Sequence, residues 1–246
     1  KSRLVSALVD VAHSRDRRVL WGRTTELDGA PPYWPWIQVL EPVAGRHLFE
    51  APAGPDPASE RFARFDAIVA ALTETPGLVV LEDMHRADAA SLSLLAYVAD
   101  RIRDAPVLVT ATYRTHPADQ VAGFAPVVDE VVRTPSAERL ELTGLDRAGV
   151  ATLLGPVASQ RVIDAVVDAS GGNPLYVGEL ARHLAAGGDL ATVPQSVRDA
   201  IARRLAERSD GCVDAVRVGA VIGRTFSAGL VATATGRAAL ACLEDL

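Results

Sequence analysis

Cysteine, methionine and aromatic residues are scarce here: of 246 residues two are Cys, one is Met and 5% are Phe, Trp or Tyr. The two cysteines, Cys212 and Cys242, fall in helical patterns without metal-ligand spacing, which excludes a disulfide-stapled scaffold and a zinc site and suits a reducing cytoplasm. No apolar run approaches ~20 residues, so no membrane span is expected. A basic excess is missing too: the net charge is −6, which argues against a nucleic-acid surface on this piece. Any DNA contact is expected from a domain outside this chain. His13, His47, His116 and His183 show no ligand spacing and read as ordinary surface or boundary residues. The chain also has no initiator Met and no signal-peptide pattern.

What is present is apolar residue in quantity, 49% of the chain, enough for a packed core in one large or two modest domains. The organising stretch is Leu78-Val79-Val80-Leu81-Glu82-Asp83-Met84-His85. An unbroken apolar run after Thr75-Pro76-Gly77 predicts a strand buried on both faces, as in a parallel sheet covered by helices. Open α/β sheets bind ligands at the C-terminal ends of their strands, so Glu82 and Asp83 are expected to face a site. Two acids there suit Mg²⁺ coordination and orientation of a water against a nucleoside triphosphate, a Walker B pattern. His85 lies close to Asp83 and Ser91 in sequence, but the turn a serine hydrolase needs for its nucleophile is absent.

The first residues are read against that strand. Lys1-Ser2 precedes a helix-period stripe of Leu4, Val5, Leu8, Val9 and Ala12. A phosphate loop ends in Gly-Lys-[Ser/Thr] and runs into such a helix, its Lys reaching the β- and γ-phosphates and its hydroxyl ligating Mg²⁺. The chain is therefore expected to begin inside its own Walker A motif, with the glycine-rich loop and the preceding strand missing.

Val19 to Arg23 predicts a second strand. Gly29 to Trp36 predicts a proline-stiffened loop that packs its indoles and opens the next helix, marked by Ile37, Val39, Leu40 and Val43. Asp56-Pro57 reads as an N-cap for a helix carrying Phe62, Phe65, Ile68, Val69 and Leu72. Asp88 is expected to cap a helix with Leu92, Leu95, Val98, Ala99 and Ile102, followed by a strand over Pro106 to Thr112. A right-handed crossover between the two strands brings Arg114 to the same sheet edge as Glu82 and Asp83, where it can reach a γ-phosphate. Glu138 to Leu142 alternates like a last strand.

Beyond it the pattern is helical. Val162 to Val167 predicts a helix ending at Ser170-Gly171-Gly172, and Asn173 caps the next with Pro174 at its first position. Further helices are expected from Pro194 and over 213–222, 230–234 and 238–246.

The ordered set Leu78 to Asp88, Ala111-Thr112-Tyr113-Arg114, Trp21-Gly22-Arg23, Pro31-Pro32-Tyr33-Trp34-Pro35-Trp36 and Gly171-Gly172-Asn173-Pro174-Leu175-Tyr176 resembles the ATPase module of large LuxR-type transcriptional regulators, within the STAND class of signalling, AAA-like P-loop NTPases. The resemblance covers essentially the whole chain. It implies an α/β three-layer αβα sheet lacking its first strand over 1–145, a lid-like helical subdomain over 146–192 and the start of a winged-helix-like region over 193–246, cut at both ends.

It also implies an ATP/ADP and Mg²⁺ site. Lys1 would lie on phosphate, Ser2 and Glu82 around Mg²⁺, Asp83 at the hydrolytic water, Arg114 sensing the γ-phosphate and Pro174 beside the adenine. The family usually has Asp where this chain has Glu82, which implies slow hydrolysis. Nucleotide state would control an effector domain outside the chain, with an effector ligand or protein and self-association as further partners. Two alternatives stay open: a STAND-like interaction module without turnover, using the helical half and the tryptophan loop, and a regulatory ATPase fused to a cyclase or kinase.

Overall fold

The unbroken apolarity of Leu78 to Leu81 has the expected consequence: the run is the middle strand of a parallel sheet and is buried throughout. The computed structural model describes residues 1–25, 29–49, 57–156, 158–189, 192, 194–206, 208–223 and 226–237. They fall into two compact units, Lys1–Leu142 and Thr143–Leu246. In the first unit the order is α1 (Ser2–Ser14), β1 (Arg18–Arg23), α2 (Trp34–Ala44), α3 (Pro57–Thr73), β2 (Gly77–Glu82), α4 (Ala89–Arg101), β3 (Val107–Ala111) and α5 (Phe124–Arg133). The sheet order is β1-β2-β3, all parallel, with Arg23 opposite Glu82 and Leu81 opposite Ala111.

Strand alternation sends the side chains of β2 into two cores. Leu78 and Val80 meet Val5 and Ala12 of α1 on one face. Val79 and Leu81 join Trp36, Ile37 and Leu40 of α2, Ile68 and Leu72 of α3 and Leu94 of α4 on the other. This is the layering of an α/β fold, with helices on both faces of a parallel sheet.

The tryptophan segment turns helical earlier than its prolines suggest. Tyr33 adopts a left-handed conformation at the N-cap of α2, and Pro35 sits in the first turn, where its missing N–H costs nothing. Trp36 is fully buried and donates its indole N–H to the Ser91 carbonyl at 3.1 Å. Asp88 caps α4 as expected, accepting from Ser91 N at 3.0 Å and from Ser91 Oγ at 2.5 Å, and it also accepts from Tyr33 N. One carboxylate thus ties together the starts of two helices, and Ser91 is spent on that cap.

Glu138 to Leu142 corrects an expectation: the segment is irregular, and Leu140 and Leu142 are exposed. Alternation makes a strand only where a neighbour supplies a ladder. Among the described residues β3 pairs with β2 alone, so no strand lies between β3 and this segment. The N-cap expected at Asp56, the loop over 51–55, the helix over 238–246 and Cys242 lie outside the described residues.

The second unit is helical among its described residues: α6 (Arg147–Leu154), α7 (Gln160–Ser170), α8 (Pro174–Ala185), α9 (Gln195–Ala206), α10 (Asp210–Ile222) and α11 (Ala228–Thr235). Val150, Ile163, Val166, Val177 and Leu180 form the core of α6 to α8. α7 stops at the left-handed Gly171, and Gly172 follows at φ 74°, where an added Cβ would lie 2.4 Å from the Leu145 carbonyl oxygen. Only glycine suits that turn. Among the described residues no helix is long and apolar enough to cross a membrane.

Candidate functional site

Where β2 runs out, the chain makes a turn that its neighbours hold from both sides. Asp83 has φ 59° and ψ 33°, left-handed geometry that is uncommon outside glycine and is tolerated best by Asn and Asp. Its N–H donates to Thr112 Oγ1 at 3.2 Å, its carbonyl accepts from Thr24 Oγ1 at 3.0 Å, and the next N–H, of Met84, donates to the Thr112 carbonyl at 2.9 Å. Thr24 follows β1 and Thr112 follows β3, so both neighbouring strands fix the strained residue.

Both acids already have partners, drawn from β1. Glu82 is nearly buried; its Oε2 accepts the Trp21 indole N–H at 3.1 Å and lies 3.8 Å from Arg23 Nε. Asp83 Oδ2 accepts from Arg23 Nε at 3.2 Å and from Nη2 at 3.1 Å. Arg23 is more than half exposed, so this ion pair contributes at most about 1 kcal/mol and yields readily to a competing ligand.

Arg114 reaches the same end of the sheet, its Nη1 3.6 Å from Asp119 Oδ1. Lys1 arrives there too, donating from Nζ to the Tyr113 carbonyl at 2.7 Å. Ser2 follows as the exposed first residue of α1. The structure therefore brings Asp83, His85 and Arg114 to one cavity, with Lys1 on the carbonyl of Tyr113 next to Arg114. Burial holds the His85 imidazole below its ordinary pKa; Asp83 opposes this, while Arg114 and Lys1 reinforce it. Pro174 lies in the other unit, as the first residue of α8, with Asn173 Oδ1 capping Leu175 N at 3.0 Å.

A cavity of about 120 Å³ opens at this strand end, lined by Arg23, Thr24, Asp83, His85, Arg86 and Arg114. A larger hollow in the second unit, about 400 Å³, is open and has no charged side chain in its lining.

For Mg²⁺ the donor chemistry is suitable but sparse. No cluster of three or more His, Cys, Asp or Glu exists among the described residues. Mg²⁺ at nucleotide sites is usually held by one or two protein oxygens plus phosphates and water. Glu82, with both of its contacts on Oε2, keeps a carboxylate oxygen that suits such a minimal set.

Sequence reading missed Arg23 and Trp21 as partners of the acids, and it weighed His85 only against a serine-hydrolase arrangement, without expecting its burial at 1% exposure. The signal for the first was available. Two parallel strands that end together, one in Trp-Gly-Arg and the other in Leu-Glu-Asp, place their last residues side by side.

Residues 1–110 match the family model of an AAA ATPase domain, which supports an AAA-like P-loop ATPase module in this part of the chain. Neither a curated protein nor a solved structure matches it.

Proposed function

We propose, from the AAA ATPase match over residues 1–110, that the chain is the nucleotide-binding and hydrolysing module of a cytoplasmic LuxR-type transcriptional regulator of the STAND class. The observation that carries this reading is the convergence of Lys1, Asp83 and Arg114 at the C-terminal end of a parallel sheet, beside a small polar cavity. A glycine-rich loop and the strand leading into it would complete such a site, and the edge of β3 that is unpaired among the described residues is where such a strand fits. The domains would run 1–145 for the NTPase core, 146–192 for a lid and 193–246 for the start of a winged-helix-like region.

In the mechanism this arrangement favours, Lys1 turns from the Tyr113 carbonyl to the phosphates. Asp83, released by Arg23, orients the attacking water, and Arg114 neutralises charge on the terminal phosphoryl group. Mg²⁺, held by Ser2 and Glu82, would screen charge between the phosphates. Pro174 would pack on the adenine. Nucleotide state then sets an effector domain by its different affinity for two conformations.

The Arg23–Asp83 pair favours a second reading, a STAND-like interaction module with little turnover, because it occupies the carboxylate that hydrolysis needs. ATP binding and ADP release separate the two. Asp83→Asn should leave nucleotide affinity within a few-fold and lower hydrolysis by roughly 10²-fold or more, the scale of a water-positioning group. Unchanged turnover removes Asp83 from the mechanism. Fusion to a cyclase or kinase in place of a DNA-binding domain would leave this chemistry the same.

A further inference from the structure

On α3 and α4 the aromatic packing does not stop at the core but continues to the surface. Phe65 is buried and meets the Tyr97 ring edge-on at 5.2 Å; Tyr97 in turn lies 6.1 Å from Phe62, which is 51% exposed. Each outer ring carries a guanidinium: Arg61 lies 5.6 Å from the centre of Phe62, and Arg101 lies 4.6 Å from that of Tyr97. Asp66 holds the group together, accepting from the Tyr97 hydroxyl at 2.5 Å and from Arg101 Nη1 at 3.2 Å. Aromatic and arginine side chains are enriched where proteins bind one another, and groups already held in one geometry lose little freedom when a partner covers them.

The charges around the rings select the partner. Arg61 on α3 is exposed, and so is Asp100, one turn after Tyr97 on α4, with its side chain 68% exposed. An acidic partner would be repelled by Asp66 and Asp100, a basic one by Arg61 and Arg101. A second copy turned about a two-fold axis presents both signs in reciprocal order. We infer that this face is a self-association surface: α3 and α4 of two copies meet around an axis near Phe62, each Phe62 packs on the ring pair of the other copy, and each Arg61 pairs with the other copy's Asp100. Size sets the strength. α3 has 17 residues and is about 26 Å long, and two adjacent helices are roughly 20 Å wide, so each copy contributes roughly 500 Å². Stable interfaces take about 800 Å² from each partner, so this contact falls in the weak, reversible class. It requires neither nucleotide nor the residues at the end of β2.

Sedimentation velocity of the whole chain over a range of concentrations should show a monomer–dimer equilibrium with a dissociation constant on the order of 10 to 100 μM. Phe62→Ser removes a ring outside the buried core and should weaken the dimer at least about tenfold. Arg61→Asp alone and Asp100→Arg alone should each weaken it by about the same factor, because each sets like charges against one another at both ends of the contact. Both positions are exposed, so the fold tolerates either reversal. An equimolar mixture of these two variants should recover the parent's affinity, since the two-fold arrangement then restores both ion pairs across the axis. A parent chain that stays monomeric at high concentration, assembly beyond the dimer, a dimer indifferent to Phe62→Ser, or charge variants that do not recover on mixing would each overturn the proposal.

Discussion

Gly22 is where the placement of both acids is most exposed to a single methyl group. An alanine Cβ there would lie 1.9 Å from the Pro35 carbonyl oxygen, 2.8 Å from its carbon and 3.0 Å from Val39 Cγ2. Carbon and oxygen come no closer than about 3.3 Å, so α2 or β1 must retreat by roughly 1.4 Å. Neither yields cheaply. α2 is anchored by Trp36, Val39 and Leu40, all at 0% exposure, and β1 is hydrogen-bonded along β2. Overpacking of this kind costs typically 1–3 kcal/mol and occasionally more; backbone on the receiving side puts Gly22→Ala near 3 kcal/mol, out of a domain stability of roughly 5–15 kcal/mol. Trp21, Trp34 and Trp36 all lie in the first unit, so tryptophan fluorescence during urea unfolding follows that unit alone. As comparison, Gly178→Ala in α8 meets nothing within 4 Å and should stabilise the second unit by up to about 1 kcal/mol without moving the fluorescence transition. A Gly22→Ala midpoint equivalent to less than about 0.5 kcal/mol of loss would refute the close approach of α2 to β1.

Other perturbations address the site. Below the ordinary pKa of 6.5 the unfolded chain protonates His85 while the folded chain resists, so stability falls as pH drops from 6.5 towards the lowered folded value. The slope from this one group is at most about 1.4 kcal/mol per pH unit, and His85→Leu should flatten the pH dependence of the urea midpoint by that amount. Pro174→Gly should weaken ATP and ADP by the same factor in calorimetric titration, because the base is common to both. A melting temperature that falls equally with and without nucleotide would instead leave Pro174 as a helix-cap residue only.

Local signals were legible in the sequence and relations between distant segments were not. β2 follows from four apolar residues after a turn, α4 from Asp88, and α8 from Asn173-Pro174, each written within a few neighbouring residues. The irregular 138–142 segment has a strand's alternation and no ladder to join, a condition its own residues do not encode. Lys1, Asp83 and Arg114 come together as the order of strand, helix and strand requires. The grip of Trp21 and Arg23 on the acids depends on the register of β1 against β2, and the burial of His85 depends on the chain around 121, whose N–H donates to the His85 carbonyl at 2.9 Å.

Two departures from ordinary folding rules meet at the end of β2. Left-handed geometry at a residue other than glycine costs of order 1–3 kcal/mol, and an unpaired buried polar group about the same. Asp83 and His85 carry one each, two residues apart, while β2 before them and α4 after them obey pattern, capping and packing together. A chain selected for stability alone would place an apolar residue at position 85 and glycine or asparagine at 83. His85→Leu is then expected to be at least as stable as the parent at pH 7 by urea midpoint, since it exchanges an unsatisfied imidazole for an apolar side chain of similar size. A loss above about 2 kcal/mol would mean that the imidazole serves the fold, and its place at the end of β2 would lose its functional meaning.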